Sequence, residues 1–193
     1  MAPIDIGRIE AAVAEILSAI GEDPARPGLA TTPQRVAQAY TEFFSGLADD
    51  PREHLADTTE LIAGADELGE LVIIRDIEFR SICEHHLLPF LGVAHIAYSP
   101  RNRIVGLGKF PRVVDTLAAR PQVQERLTEE IADTIVEALD PLGVLVVLDA
   151  VHGCVTTRGP RQTHSSTVTL ASRGTLSDPV RRAETIALIG AHV

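Results

Sequence analysis

Leu71-Val72-Ile73-Ile74-Arg75-Asp76-Ile77-Glu78-Phe79 is where the character of the chain changes. The stretch is rich in β-branched residues and reads as a strand. VAHIAY (93–98) reads as a second, followed by a turn at Ser99-Pro100-Arg101-Asn102. GVLVVLDAVHGCVT (143–156) and THSSTVTLA (163–171) read as two more. Between the pairs, Pro111 opens a short helix through Leu117. Pro121 opens a longer one, in which Val123, Leu127, Ile131, Ile135 and Leu139 recur every four residues. Asp178-Pro179 starts a last helix with Ile186 and Ile189 on its apolar face. Two strands, two helices and two strands predict an α+β fold, an antiparallel four-stranded sheet packed against helices.

Upstream the pattern is helical. Ile6, Ile9, Val13, Ile16, Leu17 and Ile20 place an amphipathic helix over residues 4–20, with Gly21 as its stop. Thr32 reads as the N-cap of a second helix and Pro33 as its first residue. Val36, Tyr40, Phe43 and Phe44 line one face, and Gly46 ends it. Residues 47–69 are acidic with little period, a connector with room for one short helix. The organisation expected is a helical segment and connector over 1–68 and a catalytic domain over 69–193.

Of the 193 residues 45% are apolar, enough for a core without covalent staples. No run approaches the ~20 apolar residues of a membrane span, and the N-terminus lacks the basic and apolar regions of a secretory signal. The two cysteines lie far apart and make no disulfide framework, so a reducing, cytoplasmic setting is expected. A net charge of −10 repels nucleic acid and anionic membranes. An anionic substrate therefore needs a locally basic pocket. Lys109 is the one lysine among 17 basic residues. Either the coding bias favours arginine, or position 109 needs a compact ammonium that arginine does not imitate.

Both cysteines have histidines beside them, in Cys83-Glu84-His85-His86 and His152-Gly153-Cys154. Cys-x-x-His in a turn lets two ligands converge on one ion. On a continuous strand, His152 and Cys154 would share a face about 7 Å apart. Two thiolates and one imidazole suit zinc, with a fourth position left for water. Spacing alone leaves His85 and His86 as alternative ligands. His152 and the histidine not taken by the metal are candidates for proton transfer. His95 and His164 each sit alone in a β pattern and read as structural, and His54 and His192 as exposed.

Gly106-Leu107-Gly108-Lys109 offers backbone amides and one ammonium, but it lacks the spacing and hydroxyl of a Walker loop. Arg112 follows near a helix start, and Arg158 follows Cys154 by four residues; a triphosphate needs several such charges. Glu125 lies in the first turn of the long helix. It reads either as a dipole-favoured surface acid or as a carboxylate accepting from the ring N–H and exocyclic amine of guanine.

These residues resemble the GTP cyclohydrolase I family from about Ala30 to the end of the chain. TPQR (32–35), CEHHLLPF (83–90), RPQVQERLT (120–128) and HGCVTTRG (152–159) carry the resemblance. It implies a helical N-terminal segment followed by a tunnelling-fold domain of ββααββ order, and homodecamers with active sites at subunit interfaces. By motif it implies zinc on Cys83, His86 and Cys154, and His85 and His152 as the acid–base pair. Glu125 and the backbone around Gln124 would hold guanine, and Lys109, Arg112 and Arg158 would face the triphosphate. Two positions depart from the family pattern. Gly108 stands where serine is usual, losing a hydroxyl near the phosphates, and Val93 where lysine is usual.

The activity implied is hydrolysis of GTP at C8 of guanine, releasing formate and forming 7,8-dihydroneopterin triphosphate. The alternatives are a specialised paralogue, serving deazapurine or other secondary metabolism or stopping at a ring-opened intermediate, and a non-enzymatic zinc-bound structural protein.

Overall fold

The computed structural model describes residues 3–61 and 71–190. The boundary expected at 68/69 and the exposure expected of His192 lie outside them. Helix α1 (Ile6–Ala19) is capped by the Asp5 carboxylate, which accepts from the Arg8 N–H, and the chain leaves it through Gly21 at φ 87°. None of its residues is buried; it packs along α2 (Thr32–Phe43). The expected cap of α2 moves by one residue. Thr32 is already helical, Thr31 holds the cap position, and no side chain bonds there.

A 3-10 turn, Ser45–Leu47, leads into the connector, whose described residues hold a short 3-10 helix, Pro51–Leu55, and a short strand β1 (Thr58–Glu60). It is fastened to the rest of the chain. The Arg120 guanidinium donates to the carbonyls of Gly46 and Asp49 at 2.8 Å, and the Gly46 N–H donates to Ala119 O at 3.1 Å.

Strands β2 (Val72–Cys83) and β3 (Pro89–Ser99) form the first antiparallel pair, interrupted by a bulge between Ile74 and Ile77 where Asp76 takes φ 57°. Strand β4 (Arg103–Val105) pairs with β1 in a separate two-stranded sheet. Then come α3 (Lys109–Ala118), the two-residue strand β5 (Pro121–Gln122), α4 (Gln124–Leu139) and β6 (Gly143–His152). The four-residue helix α5 (Gly153–Thr156), β7 (Thr167–Gly174) and α6 (Pro179–Gly190) follow.

The main sheet has the order β5-β2-β3-β6-β7. The ββααββ succession is present. The sheet has five strands where four were expected, because Pro121 does not open the long helix. Proline has no N–H to give, which suits an edge position. Here Pro121 and Gln122 pair in parallel with Ile82 and Cys83, and α4 begins only at Gln124.

Two strand ends also differ from the sequence reading. Strand β6 stops at His152, opposite Phe90 near the start of β3; the next facing residue is Pro89, which lies against Gly153 but has no N–H to give, and the chain coils into α5. His152 and Cys154 are therefore not alternate residues of one strand. Residues 163–166 likewise precede the pairing of β7 with β6, which starts at Thr167 opposite Ala150.

Helices α3 and α4 cover one face of the sheet. Phe110, Val113, Leu117, Leu127, Ile131, Ile135 and Leu139 bury against Phe79, Phe90, Ile96, Tyr98, Val144, Val146 and Leu148. In α4, Leu127, Ile131, Ile135 and Leu139 follow the four-residue period read from the sequence, while Val123 precedes the helix in extended backbone and is half-buried; burying side chains of this size stabilises by about 1.5–3 kcal/mol each. The other face is covered at one end by Leu176 and Ile189 over Ala97 and Leu145, and Ile186 of α6 stays exposed. No helix among the described residues is long and apolar enough to cross a membrane.

Candidate active site

The end of the sheet where β2 and β6 finish and α4 begins gathers most of the chemically active side chains. The segment from Cys83 to Leu88 is a closed turn: the Cys83 N–H donates to Leu88 O and the Leu87 N–H to Cys83 O, both at 2.9 Å. Leu87 accepts φ 51° to make it. The Glu84 N–H bonds Gln122 O at 2.9 Å, and the Glu84 carboxylate pairs with Arg126 of α4. The guanidinium holds the Glu84 carboxyl below the usual carboxylate range. This bracing leaves His85 and His86 exposed on the turn, their rings perpendicular with centroids 6.4 Å apart.

Cys154 comes to Cys83 from α5. Burial first, then the charge and hydrogen bond of the Cys83 sulfur, push the Cys154 thiol up, while Arg158 pulls the other way. The Cys83 sulfur thus disfavours ionisation of Cys154; a dication between the two sulfurs would reverse that. His86 faces Arg158, with its Nε2 at 3.0 Å from Nη1. A guanidinium only donates, so Nε2 keeps a lone pair, the form in which imidazole ligates metal. The donor set thus fits zinc in kind. Among the described residues no three His, Cys, Asp or Glu side chains have closed to ligation distance.

His152 ends β6 with its ring stacked flat on Phe90, centroids 4.7 Å apart and planes 4° from parallel. Its Nε2 lies 2.7 Å from Gln124 Oε1. Burial pushes its pKa below the ordinary histidine value, and the nearby Glu125 carboxylate partly offsets this. Glu125 is exposed in the first turn of α4, where the helix dipole favours its charge. The Gln124 side chain is buried and fully committed. Its amide nitrogen lies within bonding distance of Leu148 O, Thr167 O and Thr169 Oγ1, leaving the backbone of this segment for any contact with a ligand.

Cys83, His85, His86, Gln124, Glu125, His152, Cys154 and Arg158 therefore share one end of the sheet. Gly108, Lys109 and Arg112 do not. They open α3, whose last turn lies beside β2, where Ser81 Oγ donates to Ala118 O at 2.7 Å. Ten helical residues separate the two ends of α3 by about 15 Å. At its start Phe110 packs on Tyr98, ring centroids 5.1 Å apart. Tyr98 lies eight residues along β3 from Phe90, about 26 Å away.

Sequence reasoning missed Phe90, Thr128 and Thr169. Phe90 ends the CEHHLLPF motif (83–90), which by itself assigns it no role. Thr128, four residues after Gln124 on the same helix face, was the available signal. His95 is the structural histidine expected, its Nδ1 accepting from the Asp76 N–H at 3.2 Å. His164 lies exposed in the loop before β7 instead of in a strand.

A family profile described as GTP cyclohydrolase I matches residues 9–190. The chain belongs to the GTP cyclohydrolase I family. It is 62% identical over 190 residues to GTP cyclohydrolase 1 of Leifsonia xyli subsp. xyli, covering 98% of each chain. It is 55% identical over 188 residues to that of Caldanaerobacter subterraneus subsp. tengcongensis, covering 96% of this chain and 97% of the relative. It is 52% identical over 191 residues to that of Clostridioides difficile, covering 98% of each. Identity of this extent over nearly the whole length makes the chain a hydrolase of this family. Among solved structures, an archaeosine synthase QueF-like protein in the apo form matches 54% of this chain at 18% identity, with a TM-score of 0.46.

Proposed function

We propose that this chain is a zinc-dependent cytoplasmic GTP cyclohydrolase I, which opens the imidazole ring of guanine in GTP at C8, releases formate and forms 7,8-dihydroneopterin triphosphate. One observation carries the reading: the Cys83–Cys154 thiol pair, His152 and Glu125 meet at one end of the sheet in a chain of this family. Cys83, Cys154 and His86 would hold the zinc. Bound there, it supplies a Lewis acid that brings the pKa of a water toward neutrality.

The protein's own groups do the rest. Glu125 accepts from N1–H and the exocyclic amine of guanine, a donor pair that adenine lacks. His152 and His85 move protons at N7 as C8 is hydrated, the ring opens and a second hydration releases formate. The ribose then opens, rearranges and closes onto the diamine. Arg158, four residues from Cys154, meets the negative charge of the triphosphate.

Lys109 and Arg112 are the remaining phosphate groups, and their distance from His152 supports a site completed by a second copy of the chain. A homodecamer with sites between subunits is the assembly this reading adopts. Metal analysis together with product identification from GTP tests the whole. About one zinc per chain is expected, with formate and a pterin triphosphate as products. Zinc-loaded protein that releases no formate from GTP would refute the proposal.

A further inference from the structure

The polar groups behind His152 form a chain in which every donor and acceptor is determined. Thr128 Oγ1 donates to the Gln124 backbone carbonyl at 2.7 Å, one helical turn back. That uses its only hydrogen. The 2.6 Å contact between Thr128 Oγ1 and Thr169 Oγ1 is therefore donated by Thr169. Thr169 Oγ1 then has only lone pairs left, and it accepts from Gln124 Nε2 at 3.1 Å. The same Nε2 faces the carbonyls of Thr167 at 2.8 Å and Leu148 at 3.2 Å, which only accept. Three acceptors from two strands fix which way the amide points. Gln124 and Thr128 are each 1% exposed, so water offers no substitute partner.

Gln124 Oε1 must then face His152, and at 2.7 Å it requires a hydrogen on His152 Nε2. We propose that Gln124 is a positioning residue, held by Thr128 and Thr169, which fixes the orientation of the His152 ring and its Nε2–H tautomer, with Nδ1 as the ring atom turned away from Gln124. The inference rests on the reading of His152 as a proton-transfer group. Phe90 sets the plane of the imidazole and Gln124 its rotation within that plane. In the neutral ring this places the lone pair on Nδ1, while Nε2–H donates to Gln124.

The test combines kinetics with nitrogen-15 NMR of histidine-labelled, full-length protein. The His152 signals are identified by their loss in His152→Asn. In wild-type protein the neutral His152 ring is expected to show a protonated Nε2 and a bare Nδ1. Gln124→Met removes the acceptor at similar volume. It is expected to mix the tautomers and lower kcat for formate release roughly 10- to 100-fold, with zinc content and KM for GTP little changed. Thr169→Val is expected to act in the same direction more weakly, and Thr169→Ser to restore the rate.

A wild-type ring protonated at Nδ1 would overturn the proposal, a measurement that stands even where Gln124→Met fails to fold. So would a Gln124→Met protein with unchanged tautomer and kcat, or one altered in KM alone, which would make Gln124 a substrate-holding residue. If His152→Asn stops formate release while Gln124→Met does not, only the positioning role falls. If His152→Asn releases formate normally, the reading of His152 falls and this inference with it.

Discussion

Gly46→Ala tests how the segment that follows α2 is tied to α3. A methyl group on Gly46 would lie 1.9 Å from the Thr116 carbonyl oxygen, 2.9 Å from its carbon and 3.2 Å from Ala119 O. All three are backbone atoms of the last turns of α3, so no side chain can swing away. The chain must shift by more than an ångström, and two hydrogen bonds go with it: Gly46 N–H to Ala119 O and Arg120 Nε to Gly46 O. Overpacking of this kind costs about 1–3 kcal/mol. The two hydrogen bonds add about 1 kcal/mol each where water does not replace them. A total of about 3–5 kcal/mol lowers Tm by about 6–20 °C in a chain of this size. Thermal unfolding at fixed chain concentration and scan rate measures it. Gly7→Ala is the control. Its added methyl group would meet only Asp5 Oδ1 at 3.7 Å, in helix α1, and alanine is the better helix former. Its Tm should hold or rise. A Gly46→Ala protein within 2 °C of wild type, on the order of the ~0.5 kcal/mol scatter of neutral substitutions, would refute the argument that backbone contact at this glycine locks this segment to α3.

Three further outcomes are expected. About one zinc per chain should be found by elemental analysis and lost in Cys83→Ala, His86→Ala and Cys154→Ala; full metal content in all three would sink the ligand assignment. Glu125→Gln should abolish GTP turnover and leave zinc in place, because an amide presents a donor to one of two guanine donors, a mismatch of about 1–3 kcal/mol or more; near-normal affinity and rate would make Glu125 a helix-start acid only. Lys109→Ala should raise KM for GTP without disturbing zinc. Gly108→Ser should tighten GTP binding several-fold, since the added Cβ meets nothing within 4 Å at an ordinary φ of −66° and the hydroxyl adds a donor worth about 0.5–1.5 kcal/mol. Equal weakening of guanosine and GTP by Lys109→Ala would remove the turn from the phosphate site.

Local pattern carried much of the fold. The apolar residues of α4 recur every four positions and bury where that period puts them, and β-branched runs became β2, β3 and β6. Helical and strand periods are properties of consecutive residues, so they can be read without knowing what packs on them. Strand ends cannot be. His152-Gly153-Cys154 continues a β pattern, yet β6 ends at His152, where its partner β3 begins with Pro89, a residue with no N–H to extend the ladder. Pro121 resembles a helix start, yet the edge of β2 takes Pro121 and Gln122 as a strand.

The same division holds for the candidate site. Cys83, His85, His86, His152, Cys154, Glu125 and Arg158 were legible because their residue types and short spacings announce metal and proton chemistry. What bonds to them was not. Gln124 came forward as part of a guanine-holding segment, while its side chain faces His152 and the carbonyls of two strands. Thr169 lies 45 residues from Gln124 and meets it only because β7 lies beside β6 under α4. The separation of Lys109 from His152 followed from the course of α3 along the sheet, which no motif encodes. The sequence by itself determined the chemistry available to this protein, since side-chain type is local; tertiary structure alone decided which groups meet, because contact depends on strand pairing and helix packing between residues far apart in the chain.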